Sequence, residues 1–380
     1  MKTRNLTLIA LIAGSAFLFN GCKNKPANSA PGTDDGIKKE FFGLMPNGDS
    51  TFLYTMTSDE GITVKITNYG GIVTEIITPD AEGNPGNVAL GFDNLEQYLA
   101  GHPNFGALIG RYGNRIANAR FELNGQTYQL AANNGDNTLH GGIMGFDDVV
   151  WEPKVVETEN GEGLQLKYYS VDLEEGFPGN LDVTVLYELV GKDLEITYWA
   201  TTDKATPVNL TSHSYFNLAG EGTILDHVLE LKASHYTPVD DELIPTGEIA
   251  PVEGTPFDFT GPKPIGSDIE QTDGGYDHNF VIDREGDGLE WIGILKDPKT
   301  GRTMEVLTME PGVQFYTGNF LDGSLTSGEI TYVKNAGLCL ETQHYPDSPN
   351  QPAFPSTILE PGKKYHTKTV YRFGVDKGTE

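Results

Sequence analysis

Apolar and polar residues alternate along most of this chain, a pattern typical of strands that bury one face and expose the other. The clearest alternating runs are residues 62–68, 181–185, 194–198 and 330–333. Between the runs lie short segments rich in Gly, Asn and Asp, such as Asn124-Gly125, which favour tight hairpin turns. The best helical pattern, residues 94–99, extends for only about two turns. The alternation therefore predicts an all-β protein.

The organisation of the folded part is simple. We find no internal repeat and no change of composition after Glu40, so we predict one domain over residues 40–380. A closed barrel, a propeller and a multi-sheet sandwich all fit the periodicity. The composition agrees with many short strands and turns, because the chain has 46 Gly, 22 Pro, 17 Tyr and 18 Phe.

The net charge of the chain limits the classes of partner that it can bind. It has 54 Asp and Glu against 26 Lys and Arg, a formal net charge of −28. This excess argues against nucleic acid, since binding to a phosphate backbone needs a basic face, and it disfavours an anionic membrane surface for the same reason. With 38% hydrophobic residues the chain still has enough apolar material for a large core. We therefore expect a globular protein.

Residues 1–22 have the features of a lipoprotein signal peptide. Lys2 and Arg4 supply a charged start, and the apolar stretch 6–19 that follows is too short for a permanent membrane span. The segment ends in Leu18-Phe-Asn-Gly-Cys22, which resembles the lipobox of bacterial lipoproteins, although Asn20 departs from its usual small or β-branched residue. The alternative is an ordinary secretion signal with a chance cysteine.

The lipobox implies lipidation at Cys22 and export to the periplasm or outer membrane of a bacterium. Residues 23–39 mix Asn, Pro, Ser, Gly and Asp with almost no large apolar side chain, and this composition predicts a flexible tether. Membrane contact is then expected only through the lipid anchor. Cys339 is the one other cysteine, so no intramolecular disulfide is expected once Cys22 is modified.

Several polar residues stand beside glycines or on apolar strands. Arg111 and Arg115 flank a glycine-bracketed loop, where an arginine can bind vicinal hydroxyls or a carboxylate, or can simply pair with a structural acid. His140 precedes a glycine pair that lets backbone approach a ligand closely. On a continuous strand, His213, Tyr215 and Asn217 would share one polar face.

The C-terminal third adds a second group of such residues. Asp277 lies in a tight polar loop, and Gln314 lies among aromatic residues. Glu341 shares a strand face with Cys339 and lies opposite Leu338 and Leu340. Glu341 and His344 are three residues apart, a spacing that brings two metal ligands together on a helix but not on a strand. This segment has the pattern of a strand, so we predict no metal site. Each signal is weak by itself.

In their order along the chain, these segments resemble the galactose mutarotase family, the aldose 1-epimerases. The matching segments are Gly110-Arg-Tyr-Gly-Asn-Arg-Ile-Ala, Asn137-Thr-Leu-His-Gly-Gly with Gly145-Phe-Asp, Asn209-Leu-Thr-Ser-His-Ser-Tyr-Phe-Asn-Leu, Tyr276-Asp-His-Asn-Phe, Glu310-Pro-Gly-Val-Gln-Phe-Tyr-Thr-Gly-Asn and Leu340-Glu-Thr-Gln-His-Tyr-Pro-Asp-Ser. The resemblance extends from about Phe42 to Tyr371-Arg-Phe. It implies a single large β-supersandwich with an open carbohydrate cleft across one sheet.

The resemblance also implies residue roles. Glu341 falls on the general base and His213 on the general acid of a reaction that opens and recloses the ring of a free hexose such as glucose or galactose. The implied substrate-binding residues are Asn114, Arg115, His140, Asp277 and Gln314. Gly113 and Ser212 depart from the residues usual in the family, Ala and Asn, but neither position carries the chemistry. The reaction needs no cofactor and no metal, because one acid and one base suffice.

Three other functions share parts of this pattern. Tyr276, Phe315 and Tyr316 are candidates for stacking on the apolar face of a sugar, although such aromatic residues more often belong to the core. A non-catalytic carbohydrate-binding protein would keep stacking aromatics but would not need the acid and base. An epimerase of phosphorylated hexoses should surround its site with several Arg or Lys. A glycoside hydrolase needs a second carboxylate at about 5–10 Å from Glu341, and Asp277 is the candidate. We expect a monomer or a weak dimer.

Overall fold

The computed structural model describes residues 36–377, and strands dominate this part of the chain. The N-terminal strands are β1 (Lys38–Leu44), β2 (Ser50–Thr57), β3 (Thr63–Thr67), β4 (Val73–Pro79), β5 (Pro85–Asn87), β6 (Leu108–Ile109), β7 (Arg115–Ile116), β8 (Arg120–Leu123), β9 (Gln126–Gln129) and β10 (Thr138–Leu139). The central strands are β11 (Glu152–Thr158), β12 (Gly161–Ser170), β13 (Leu181–Val190), β14 (Asp193–Thr202), β15 (Thr206–Pro207), β16 (Thr211–Ser212), β17 (Tyr215–Phe216), β18 (Val228–Leu231), β19 (His235–Thr237) and β20 (Ala250–Pro251). The C-terminal strands are β21 (Lys263–Pro264), β22 (Asp277–Val281), β23 (Glu290–Lys296), β24 (Arg302–Thr308), β25 (Gly312–Tyr316), β26 (Thr326–Ser327), β27 (Ile330–Thr331), β28 (Leu338–Gln343), β29 (Ile358–Leu359) and β30 (Tyr365–Val375).

Helices are few and short. Helix α1 covers Leu95–Leu99, and Asn94 caps it by accepting a hydrogen bond from the backbone N–H of Gln97. This agrees with the short helix predicted over 94–99. The 3₁₀ turns are Ala117–Ala119, Glu174–Gly176, Ile265–Ser267, Ile269–Gln271 and Ser348–Asn350. No helix among residues 36–377 has the length and apolar character needed to cross a membrane.

Three sheets carry most of the strands. A five-stranded sheet is a meander with the order β1-β2-β3-β4-β5. A nine-stranded sheet has the order β11-β12-β13-β14-β30-β24-β23-β18-β21, and a six-stranded sheet has the order β17-β28-β25-β22-β19-β20. The C-terminal strand β30 pairs with both β14 and β24, so it joins the two halves of the nine-stranded sheet.

The core lies between the sheets. In β13 the buried residues alternate with more exposed ones, as the sequence predicts, and the buried side chains include Val183 and Tyr187. Tyr371 of the nine-stranded sheet packs on Phe216 of the six-stranded sheet with their ring centroids 5.0 Å apart. The Tyr371 hydroxyl also donates to the Leu340 carbonyl at 3.0 Å. The predicted all-β fold is confirmed, with sheets packed around a large apolar core and two smaller apolar clusters.

The Asn124-Gly125 turn forms as predicted. It joins β8 to β9, and both residues have positive φ angles, 53° and 77°. Tight two-residue hairpins require this backbone geometry, and Asn and Gly tolerate it best.

The first strand begins earlier than the sequence suggested. Strand β1 begins at Lys38, two residues inside the predicted 23–39 tether, because its backbone pairs with β2 from Lys38 opposite Thr55 onward. The Lys39 ammonium also lies 3.6 Å from the ring centroid of Phe52. The signal peptide 1–22, Cys22 and nearly all of the tether lie outside the described residues and stay predictions.

Candidate active site

The predicted site residues meet at a cavity of about 160 Å³ on the six-stranded sheet. Its lining contains six of the seven residues that the sequence singled out for catalysis or substrate binding: Asn114, Arg115, His140, His213, Asp277 and Glu341. Six further residues complete the walls: Pro103, Asn104, Leu139, Tyr215, Tyr316 and Phe320. The chain therefore brings together polar side chains that are more than 200 residues apart in sequence.

Strand β28 places Glu341 on the floor of the cavity. All six residues of β28 are buried, and period-two alternation directs Leu340 into the core and Glu341 to the opposite face. Only 2% of Glu341 is exposed. Burial therefore raises the pKa of this carboxyl well above its ordinary value, nearby Asp277 raises it further, and the Arg115 guanidinium opposes both effects.

His213 faces Glu341 from the short link between β16 and β17. The strand is interrupted there, but the His213 backbone is still held: its N–H donates to the Ala107 carbonyl, and its own carbonyl accepts from Gly106. Its Nε2 lies 3.6 Å from Oε1 of Glu341, and its Nδ1 lies 3.5 Å from the Cys339 sulfur. Burial lowers the pKa of His213 to about 4. The imidazole is therefore neutral in the free site at neutral pH.

Burial raises the pKa of Glu341 and lowers that of His213, so both shifts favour the uncharged groups, a state in which the pair carries one proton, on Glu341. The proton can sit on Glu341 with a neutral His213, or on His213 beside an ionised Glu341. Both arrangements carry the same number of protons, so the two groups titrate as a unit. Only the second arrangement supplies a base and an acid at once, and at 3.6 Å the opposite charges that it creates attract one another.

A second wall comes from β7 and β10, which pair antiparallel with Arg115 opposite Leu139. Asn114 and His140 both have positive φ angles, 61° and 53°, and their backbones hydrogen-bond to one another. The Asn114 backbone N–H also donates to His140 Nδ1 at 3.2 Å. This contact leaves Nε2 of the neutral imidazole as the donor. Burial holds the pKa of His140 well below its ordinary value.

Asp277 forms the third wall, and Gln314 on the neighbouring strand supports it from behind. Gln314 is 2% exposed and does not itself line the cavity, but its Nε2 donates to Asp277 Oδ1 at 2.7 Å. Asp277 Oδ2 lies 4.0 Å from an Arg115 guanidinium nitrogen. Burial raises the pKa of Asp277, while Arg115 and Gln314 oppose the rise. The wall presents hydrogen-bond acceptors held in a fixed orientation.

The sequence left two roles open for Arg111, and the structural one holds: its guanidinium does not line the cavity and donates to the carbonyls of Pro178 and Gly179 at 3.0 and 2.9 Å. Two sequence interpretations need correction. Tyr276 and Phe315 are fully buried and stack on one another in the core. They are therefore not available to a sugar.

The predicted shared face of His213, Tyr215 and Asn217 holds only in part. His213 and Tyr215 both line the cavity, with their ring centroids 5.1 Å apart, whereas Asn217 does not line it. Tyr215 is 1% exposed, underlies the site and donates its hydroxyl to the Pro103 carbonyl at 3.0 Å. Asn217 donates instead to the carbonyl of Ala336 at 2.8 Å.

Sequence reasoning missed Phe320. Its side chain lines the cavity, is 70% exposed and stacks on Tyr316 at 26° and 6.0 Å between centroids. The Phe320 backbone N–H donates to the Tyr316 hydroxyl at 3.1 Å. An exposed aromatic ring beside a polar cavity can bind the apolar face of a ring-shaped ligand. The signal in the sequence was an aromatic residue directly after Gly318-Asn319, a turn where a core side chain is unusual.

The same cluster offers three possible metal ligands. Donor atoms of His140, His213 and Glu341 lie within 4.8 Å of one another. A metal at His140 Nε2 would displace the proton that this nitrogen carries while Nδ1 accepts from Asn114. The hydrogen bonds therefore favour donation by His140 over metal coordination. The predicted metal-free reaction stays a prediction.

A buried carboxylate and a buried imidazole that face each other, with fixed polar groups and an exposed aromatic ring around them, define an acid–base enzyme for a small polyhydroxylated ligand. Comparison with known proteins identifies its family. The sequence profile of the family described as aldose 1-epimerase matches residues 53–372. The chain belongs to the aldose 1-epimerase family.

Individual relatives agree. A galactose mutarotase from Mus musculus is 45% identical over 343 residues, which cover 89% of this chain and 99% of that protein. An aldose 1-epimerase from Escherichia coli (strain K12) is 38% identical over 339 residues, covering 87% of this chain and 97% of that protein. The crystal structure of a GalM/aldose epimerase homologue from C. elegans has a TM-score of 0.79 at 28% identity, covering 89% of this chain and 99% of that one. The predicted enzyme class, an isomerase acting on carbohydrates, is confirmed.

Proposed function

We propose that this protein interconverts the α and β anomers of free aldohexoses such as galactose and glucose, with Glu341 as the base and His213 as the acid. The observation that carries these roles is the contact between His213 Nε2 and Glu341 Oε1 at 3.6 Å inside the cavity. The names of the relatives support the reaction, and the one-proton pair supports this assignment of the two residues.

The reaction begins with the arrangement in which Glu341 is ionised and His213 is protonated. Glu341 takes the proton of the C1 hydroxyl while His213 gives its proton to the ring oxygen, and the bond between C1 and the ring oxygen breaks. The product is an open-chain aldehyde, with Glu341 protonated and His213 neutral. After rotation about C1–C2, the same two groups act in reverse and the ring closes on the other face.

The remaining residues position the sugar. His140 donates through Nε2, and the Arg115 guanidinium supplies positive charge where oxygen atoms gain electron density. Asp277, held by Arg115 and Gln314, accepts from sugar hydroxyls. Asn114 fixes His140 through its backbone N–H. A neutral sugar neither gains nor loses much from the net charge of −28, so this charge does not oppose binding.

Polarimetry tests the proposal. Freshly dissolved α-galactose or α-glucose should reach equilibrium much faster with the wild-type protein than without it. We expect Glu341→Gln and His213→Asn each to lower the rate by about 10²-fold or more, as for other general acids and bases. Glu188→Gln and His227→Asn are matched controls, because both residues are buried and neither lines the cavity. Equal rates for wild type and the Glu341→Gln variant would contradict the proposal.

The rival functions give different results in the same experiments. A carbohydrate-binding protein would bind the sugars without accelerating their mutarotation. A glycoside hydrolase would release nitrophenol from nitrophenyl galactosides or glucosides, with Asp277 as the second carboxylate. Asp277 accepts from Gln314 and faces Arg115, contacts that suit it to substrate binding. We expect no hydrolysis by the wild-type protein.

We also propose that the protein is exported and anchored by a lipid on Cys22, as a monomer or weak dimer. The charged start, the short apolar stretch and the lipobox-like sequence before Cys22 support this. The alignment with the Mus musculus relative covers 99% of that protein but 89% of this chain, so part of this chain has no counterpart in that relative. Metabolic labelling of the full chain with an alkyne fatty acid in a bacterium should mark the wild type and not Cys22→Ser. Equal labelling of both proteins would contradict the anchor, and light scattering gives the oligomeric state.

A further inference from the structure

Three amide side chains lie in register beside the proposed base. Across β22, β25 and β28, Asn279 pairs with Gln314, and Gln314 pairs with Glu341. Gln343 follows Glu341 on the same face of β28, two residues along. We call Asn279, Gln314 and Gln343 the amide row. Their exposed fractions are 1%, 2% and 0%.

Polar atoms in and beside the amide row lack a protein partner. These atoms are Asn279 Oδ1 and Nδ2, Gln314 Oε1, Gln343 Oε1 and Nε2, and Glu341 Oε2. Buried polar atoms in folded proteins nearly always have a hydrogen-bond partner, which is either protein or ordered water. So many unpaired atoms on one face of three adjacent strands indicate a common cause.

A glycine makes room for this arrangement. Gly312 lies opposite Gln343 in the sheet, and a Cβ atom on Gly312 would lie 2.4 Å from Asn279 Oδ1. The Asn279 amide oxygen therefore lies over Gly312, the residue that pairs with Gln343. On the other side, a Cβ atom on Gly113 would lie 3.2 Å from Gln343 Oε1. The two glycines let the amides occupy the space behind the base.

We propose that the amide row, bridged by internal water, hydrogen-bonds the rear oxygen Oε2 of Glu341 and stabilises the ionised form of this carboxylate, in which it can act as the base. Asn279 and Gln343 are thus positioning residues for the reaction. The inference rests on the proposed role of Glu341 as the base. It assigns a function to two buried residues that do not line the sugar cavity.

The other groups around Glu341 cannot replace this contact. The titratable and charged side chains that face or influence it are His140, His213, Arg115, Asp277, Cys339, Tyr215 and Tyr371. His213 contacts the front oxygen Oε1, and Asp277 repels the carboxylate. The amides supply neutral N–H donors, which stabilise an ionised carboxylate without neutralising it.

The test uses Gln343→Met and Asn279→Leu, which keep the size of each side chain and remove its hydrogen bonds. Losing one hydrogen bond to a carboxylate raises its pKa by about one unit. The productive arrangement of the one-proton pair then becomes rarer, so kcat should fall about tenfold. The pH optimum depends on the mean of the two pKa values of the pair and should move up by about half a unit. KM should change less than about twofold, since neither residue touches the sugar.

Thr342→Val is the matched control, because Thr342 is buried on the same strand but bonds to Thr369 on the opposite face. It should lower the urea midpoint and leave the pH optimum unchanged. Folding of each variant is checked by circular dichroism, and either amide variant suffices if the other does not fold. If a folded amide variant keeps the pH optimum and the kcat of the wild type, the role proposed for the amide row is wrong, and the proposed function is unaffected. A wild-type protein without mutarotase activity would instead overturn the proposed function.

Discussion

The buried pair of Glu310 and His344 should control the stability of the sheet that carries the site. Glu310 Oε2 and His344 Nδ1 lie 2.6 Å apart, at the start of β25 and the end of β28. The Glu310 side chain is 2% exposed and that of His344 is 23% exposed. Replacing His344 by leucine removes the charged partner of the Glu310 carboxylate and leaves it buried beside the hydroxyls of Tyr365, at 3.4 Å, and Thr367.

The expected loss follows from this burial. Removing one partner of a buried ion pair costs about 3–5 kcal/mol, because the remaining charge is desolvated and unpaired. Both side chains are less than a quarter exposed, so solvent screening is small. The double variant Glu310→Gln with His344→Leu removes the charge as well and should be more stable than His344→Leu alone. The difference between these two variants isolates the cost of the unpaired carboxylate.

The pH dependence has a definite sign. Pairing raises the pKa of His344 above its ordinary 6.5, so its contribution is complete below that pH and disappears as the pH rises through the folded-state pKa. It lowers the pKa of Glu310 below its ordinary 4.5, so that contribution is complete above 4.5 and disappears as the pH falls. The difference between wild type and His344→Leu should therefore be largest between about pH 4.5 and 6.5.

Urea unfolding at pH 5.5 and pH 9 measures this difference. Lys204→Leu is the control, since it removes an exposed ion pair with Asp172 and should cost far less at both pH values. A His344→Leu variant as stable as wild type at pH 5.5 would refute the reasoning. So would a loss of stability that is the same at both pH values.

Three further predictions concern the cavity and its supports. Phe320→Ala should raise KM for galactose about two- to tenfold with kcat unchanged in polarimetric kinetics, because it removes the exposed ring stacked on Tyr316. Arg111→Met should lower the free energy of unfolding by about 3 kcal/mol or more in urea titration, because it removes the donors to two buried carbonyls. Gly141→Ala should abolish activity or soluble expression, since its Cβ atom would lie 1.9 Å from the Gly110 carbonyl oxygen at a φ of 96°.

The alternation of residues predicted strands well where one face of a strand is buried and the other is wetter. Strand β13 follows the pattern over its first residues, and the predicted run at 181–185 is part of it. The run at 330–333 gave only the two-residue strand Ile330–Thr331, both of whose residues are exposed. Alternation does not show how many neighbouring strands a segment pairs with, and the extent of this pairing decides how long the strand becomes. The order of the strands in the sheets was likewise not predictable from periodicity.

The candidate site was predictable because its residues lie in motifs, whereas their surroundings depend on backbone details. His213 lies in a break between β16 and β17, where backbone hydrogen bonds to Gly106 and Ala107 hold it. The assumption of a continuous strand placed Asn217 beside it, which was wrong. The positions of aromatic residues were equally hard to predict. Phe315 lies in the core and Phe320 lines the cavity, although each follows a polar residue in the same segment. Only the tertiary packing distinguishes the two.

The two faces of β28 separate stability from chemistry. Leu338, Leu340 and Thr342 face the core, where substitution removes packing or a hydrogen bond. Cys339, Glu341 and Gln343 lie on the other face, with His213 against both Cys339 and Glu341. Changes on the first face should therefore alter the free energy of unfolding without moving the pH optimum, whereas changes at Glu341 and Gln343 should alter the protonation of the acid–base pair. The period-two geometry of a strand makes this separation possible, because neighbouring residues along one backbone lie in different environments.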